Sequence, residues 1–188
     1  MLTQSRQGLA DLGVLGTGRM GSRLAAMFAL ASFVVLSVLS GSADEALVTR
    51  RVARFLPARA VVDLAGRTSL GVFAALLTHA RLLVSNDTGV SHVAAALRVP
   101  SIVVSCGADP RRFAPLDHAL HEVLHHPVAC RPCTYAHCPV GHGCAHKLTP
   151  ERVIARVRTR LVVPRDPEPL RFPRWRAPAD GHASPPPR

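Results

Sequence analysis

The chain has 188 residues, a formal charge of +11, 48% hydrophobic residues and only 4% aromatics. That length holds one domain and a tail, and that apolar fraction supports a core of Ala, Val and Leu of the kind found in parallel α/β sheets. The charge comes largely from arginines spread along the chain, with no Lys/Arg block interleaved with aromatics, so nucleic acid is not an expected partner.

Residues 1–12 are polar and aperiodic. Gly13-Val14-Leu15-Gly16-Thr17-Gly18-Arg19-Met20-Gly21 follows, then an apolar run from Leu24 to Leu39. That run is short for a membrane span, which needs about 20 residues. With Arg23 ahead of it and Ser40-Gly41-Ser42-Ala43 behind, it imitates a signal peptide, but the imitation begins at Met20 and not at the start. The run divides more naturally into a helix over Leu24–Ala31 and a buried strand over Phe33–Leu39.

From residue 41 the pattern is regular. Asp44–Phe55 is amphipathic, with Leu47, Val52 and Leu56 on one side and Arg50, Arg51 and Arg54 on the other. Ala60–Leu64 is a short strand, and Ser69–His79 a helix with Ser69 as N-cap. Leu82–Ser85 is a strand, Val90–Leu97 an Ala-rich helix stopped by Pro100, and Ser101–Ser105 a strand. Residues 109–147 are irregular and rich in His, Pro and Cys. Thr149-Pro150-Glu151 opens a last helix to about Val162. Residues 164–188 carry many prolines and little to bury, the composition of a disordered tail. Strands and helices alternating at this spacing predict an α/β fold, a Rossmann-like parallel sheet with right-handed crossovers.

Three stretches carry chemistry. In Leu82-Leu83-Val84-Ser85-Asn86-Asp87-Thr88-Gly89-Val90-Ser91-His92, a strand runs into a helix. Ligands of open α/β sheets bind at such carboxyl ends, and the following helix offers free N–H groups to a phosphate. Gly89 leaves room for close approach, Thr88 and Ser91 offer hydroxyls, and Asp87 and His92 can meet ligand hydroxyls or phosphate oxygens. The plainer alternative is that Asp87 and Thr88 only cap the helix and His92 is an ordinary histidine. Gly16-x-Gly18-x-x-Gly21 matches a dinucleotide fingerprint, which would suit an NADP-dependent oxidoreductase, although the usual acid about 20 residues on is missing. Cys130-x2-Cys133-x4-Cys138-x5-Cys144 could hold a structural zinc ion or stand as free or partly oxidised thiols.

Asp63-Leu64-Ala65-Gly66-Arg67-Thr68-Ser69-Leu70, the stretch Val84–His92 and Ala94-Ala95-Ala96-Leu97-Arg98-Val99-Pro100 together resemble glycosyltransferase family 9, the lipopolysaccharide heptosyltransferases and their relatives. The resemblance covers residues 33–163 and corresponds to the carboxy-terminal half of that family. It implies one Rossmann-like half of a GT-B enzyme, preceded here by a divergent segment over 1–32. It also implies transfer without a metal, from an ADP-activated sugar to a lipopolysaccharide core or related surface glycan. By motif, Asp87, Thr88, Gly89, Ser91 and His92 would meet the diphosphate and sugar, Thr68 the base, and Glu45 the ribose, with Asp44 competing for that place. Location would be cytoplasmic, peripheral at the inner membrane. The family's other half binds the acceptor and supplies the general base. Here Asp11 is the only acid before Asp44, and the family's Trp-Pro pair is absent. An incomplete enzyme is therefore expected, completed by a separate amino-terminal half or reduced to a nucleotide-binding remnant.

Overall fold

The computed structural model describes residues 12–16, 36–133, 135 and 137–162. Six strands make one parallel sheet: β1 (Leu12–Gly16), β2 (Leu36–Ser40), β3 (Val61–Asp63), β4 (Leu82–Asn86), β5 (Ser101–Val104) and β6 (His121–Leu124). Their order is β3-β2-β1-β4-β5-β6, so the sheet grows outward in both directions from the β1–β4 pair. In the register of the strands, Val14 pairs with Val38 and Leu83, and Leu15 with Leu39 and Val84.

Strands with helices on both faces must be apolar on both faces, and β4 shows it. Leu83 turns to one side, with Val38, Phe73, Leu77, Ala80, Ala94 and Val99. Leu82 and Val84 turn to the other, with Ile102, Val104, Leu148, Val153 and Val157. The first side is covered by α2 (Leu70–Thr78) and α3 (Gly89–Ala96), the second by α6 (Pro150–Val162). Helix α1 (Ala46–Ala53) seals the β2–β3 end by setting Val52 on Leu39. Ser69 caps α2 as expected, its Oγ accepting from Val72 N at 3.3 Å.

Several expectations shift. The strand expected over Phe33–Leu39 is found at Leu36–Ser40, and Asp44–Phe55 is a 3-10 turn over Ala43–Glu45 followed by α1. Residues 109–147 are not wholly irregular. They contain β6 and two one-turn helices, α4 (Pro110–Phe113) and α5 (Gly143–His146). Strand β6 forms because the sheet offers an unpaired β5 edge, and backbone pairing there outweighs the weak strand preference of His121 and Glu122. Strand β1 lies ahead of residue 33, the expected start of the domain, and takes a central place in the sheet. The expected helix over Leu24–Ala31, the fingerprint beyond Gly16 and the Pro-rich tail lie outside the described residues. No helix among the described residues is long and apolar enough to cross a membrane.

Two positions expose the fold to test. Gly66 has φ +69°, and an added Cβ would stand 2.9 Å from Ala43 Cα. Gly66→Ala therefore incurs a left-handed-backbone cost of about 1–2 kcal/mol plus that clash, read as a lower urea midpoint. His121 is buried, its Nδ1 2.9 Å from Ser101 Oγ. Burial holds its pKa below the ordinary value, with Arg160 and Arg98 adding to the shift and Asp117 opposing it. The unfolded chain then binds the proton first, so stability is full above the unfolded value of about 6.5 and falls as pH drops below it. Thermal melts between pH of about 8 and about 5 should show that fall, and His121→Asn should flatten it.

Candidate functional site

Because all six strands are parallel, every turn that leaves a strand's carboxyl end lies on one edge. The turn after β3 carries Gly66 to Thr68, that after β2 carries Gly41 to Glu45, that after β4 carries Asp87 and Thr88, and that after β5 begins at Ser105. Adjacent strands stand about 4.8 Å apart, so β2 and β4, separated by β1, place their turns about 10 Å apart. The candidate base, ribose and phosphate residues thus follow one another along the edge in the order in which a nucleotide diphosphate is built.

The first two turns are tied together. Gly66 N donates to Gly41 O at 2.9 Å, and Gly66 closes on Ala43. Asp63, noticed in the sequence only as part of a motif, anchors this corner. Its Oδ2 accepts from Thr49 Oγ1 at 2.8 Å and its Oδ1 from Ala65 N at 3.1 Å. Glu45 is partly committed, since its Oε2 accepts from Ser42 N at 2.8 Å and from Ser42 Oγ at 3.2 Å. Asp44, its competitor for the ribose, is exposed beside it, and Thr68 is half-buried.

The turn between β4 and α3 combines an anchored acid with an open helix start. Asp87 N donates to Val104 O at 3.2 Å, and its Oδ2 accepts from Ser105 Oγ at 3.0 Å. Thr88 takes the N-cap position with φ −142°, but its side chain makes no capping bond and reaches only Asn86 O at 3.5 Å. Its hydroxyl is exposed, as are Gly89 and His92. A Cβ at Gly89 would meet nothing within 4 Å, so the space over the helix start is open. Ser91 is buried, and its Oγ donates to Thr88 O at 2.7 Å, which ties the turn to the first turn of the helix.

The sequence did not point to Ser105 or Arg131. Arg131 Nη2 donates to Ser105 O and to His126 O, each at 3.2 Å, and Nη1 lies 3.5 Å from Ser105 Oγ. These residues are 18 and 44 positions from Asp87, too far for any local pattern to join them.

None of the five cysteines is in a disulfide. Cys130 is exposed, while Cys133 donates its N–H to Gly107 O at 2.9 Å. Cys138 Sγ accepts from His142 N at 3.1 Å, and backbone N–H groups of His142, Val140 and Gly141 hold its thiol below the usual range. Burial, with Cys144 nearby, pushes the Cys106 thiol up to about 11. Among the described residues no three His, Cys, Asp or Glu side chains are grouped to hold a metal ion.

Comparison with known proteins identifies the family and the fold. The model of glycosyltransferase family 9 (heptosyltransferase) matches residues 25–143. A lipooligosaccharide heptosyltransferase 2 of Campylobacter jejuni is 26% identical over 102 residues, 54% of this chain and 32% of that protein. The fold is shared with the E. coli ADP-heptose LPS heptosyltransferase II, at a TM-score of 0.68 and 23% identity, over 82% of this chain and 47% of that one. It is shared also with a family 9 glycosyltransferase from Veillonella parvula, at a TM-score of 0.65, 18% identity and coverages of 83% and 47%. The E. coli heptosyltransferase WaaC with ADP gives 0.63, 21% identity and coverages of 82% and 45%. The chain spans about half the length of these structures and about a third of the Campylobacter protein. With a parallel sheet of the same fold and the family pattern running from residue 25 to residue 143, this chain belongs to glycosyltransferase family 9, the heptosyltransferases.

Proposed function

We propose that this domain holds an ADP-activated sugar for transfer to a lipopolysaccharide core or related surface glycan. The observation that carries the reading is the β4–α3 turn. A helix start with no side-chain cap, an exposed Thr88 whose hydroxyl makes only a 3.5 Å contact with Asn86 O, an open Gly89 and an exposed His92 lie within one turn at the sheet's carboxyl edge. Transfer breaks the bond between the sugar's anomeric carbon and the diphosphate, and negative charge grows on the leaving phosphate. The helix N-terminus, equivalent to about half a positive charge, and a donor from His92 favour that charge without a metal. Base and ribose fall to the turns at Thr68 and Glu45.

No residue of this chain is assigned to deprotonate the acceptor. The reading is of a donor half that works with an acceptor-binding half, cytoplasmic and peripheral at the inner membrane, where an ADP-sugar and a nascent glycolipid meet. A second reading has its own support. Strand β1 ends at Gly16 beside β4, where the strand order reverses, so the Gly16-x-Gly18-x-x-Gly21 fingerprint starts where dinucleotide pyrophosphates bind.

Calorimetric titration of the whole chain with ADP, UDP, GDP and NADPH separates these readings. The donor reading expects saturable ADP binding, weakened about tenfold by His92→Ala and by Thr88→Ala through loss of one hydrogen bond each to a charged group. NADPH binding lost in Gly18→Ala would replace it with the oxidoreductase reading, and silence toward every nucleotide would leave an inert remnant.

A further inference from the structure

Asp87 opens the donor turn, but what fixes its carboxylate comes from elsewhere in the chain. Ser105 is fully buried at the end of β5, and its Oγ is 3.0 Å from Asp87 Oδ2. Arg131 lies behind it, with Nη1 3.5 Å from the same Ser105 Oγ and Nη2 3.2 Å from Ser105 O. A guanidinium only donates, so toward Arg131 the Ser105 oxygen is the acceptor and its single proton is directed at Asp87. A carboxylate only accepts, which closes the sequence in one direction: Arg131 to Ser105 to Asp87.

Arg131 is held for this arrangement. It also donates to Ala108 O and His126 O, bridging the segment after β5 and the segment after β6. Its Nε is buried with no hydrogen-bond partner among the described residues. A part-buried guanidinium with a buried, unpaired Nε is costly, and its bonds to Ser105, Ala108 and His126 offset part of that cost.

We propose that Ser105 and Arg131 are positioning residues for the donor site: they lock the Asp87 carboxylate, and through it the Asp87-Thr88-Gly89 turn, in the conformation that receives the donor's phosphates. The inference rests on the donor reading of that turn. It makes Arg131, 44 positions from Asp87 and present in the sequence motif only as a spacer between Cys130 and Cys133, a determinant of nucleotide affinity.

The test is a double-mutant cycle on ADP affinity with the full chain, with a thermal melt of each variant. Ser105→Ala should weaken ADP binding by about tenfold, the effect of losing a hydrogen bond to a charged partner. Asp87→Asn should weaken it by a similar factor. The double variant should be no weaker than the worse single variant, because both act through one carboxylate. Ser105→Thr, which keeps the hydroxyl, should restore affinity. Arg131→Lys should not match the wild type, since one ammonium cannot reproduce the fork. Should Arg131 variants fail to fold, the Ser105 and Asp87 arms still decide. Fully additive losses, or a Ser105→Ala variant binding ADP like the wild type, overturn the inference and leave the donor reading standing. A wild-type chain that binds no ADP overturns both.

Discussion

The common direction of the strands is the constraint on which the rest depends. Parallel pairing forces each connection to cross back over a face, so helices must cover both sides and every strand must be apolar on both sides. The same direction sends all strand ends with free helix starts to one edge. Residues as far apart as Glu45, Thr68, Asp87 and Ser105 become neighbours along that edge without any direct interaction between most of them. Reversal of the strand order between β1 and β4 then opens the crevice in which a ligand can lie.

What holds this sheet together is burial, and magnitudes decide it. Helix α6 shows an ion pair, Arg156 Nε to Glu122 Oε1 at 2.6 Å, but half of the Arg156 side chain is exposed. Such a pair is worth about 1 kcal/mol at most. Leu148, Val153 and Val157 beneath the same helix are almost fully buried, and each contributes about 1.5–3 kcal/mol. The ion pair orients α6; the three apolar side chains attach it.

The sequence disclosed what is local. Ser69 as cap, the apolar run at Leu82 to Val84 and the Gly89 helix start each depend on neighbours within four positions, and each was legible. So was the resemblance that joined Thr68 to Asp87. Contacts between distant segments were not legible. Strand β6 exists because β5 has an edge to offer, and neither His121 nor Glu122 announces it. Ser91 looked like a ligand hydroxyl, since nothing local shows that it is buried and bonded to Thr88 O. The cysteine spacing is local, but not every contact of the cysteines is: Cys133 N reaches Gly107 O, far back in the chain, and Cys106 is raised by burial.

Different surroundings give the thiols of Cys138 and Cys106 different reactivities. The thiolate is the reactive form, and its share follows pKa. Three backbone N–H groups favour the thiolate at Cys138, whereas burial keeps Cys106 almost wholly protonated at neutral pH. A mild alkylating reagent would therefore find Cys138 well ahead of Cys106. The Cys-rich segment carries its own chemical handle, at a sulfur that accepts from His142 N and outside the hydrogen bonds that join Arg131 to Ser105.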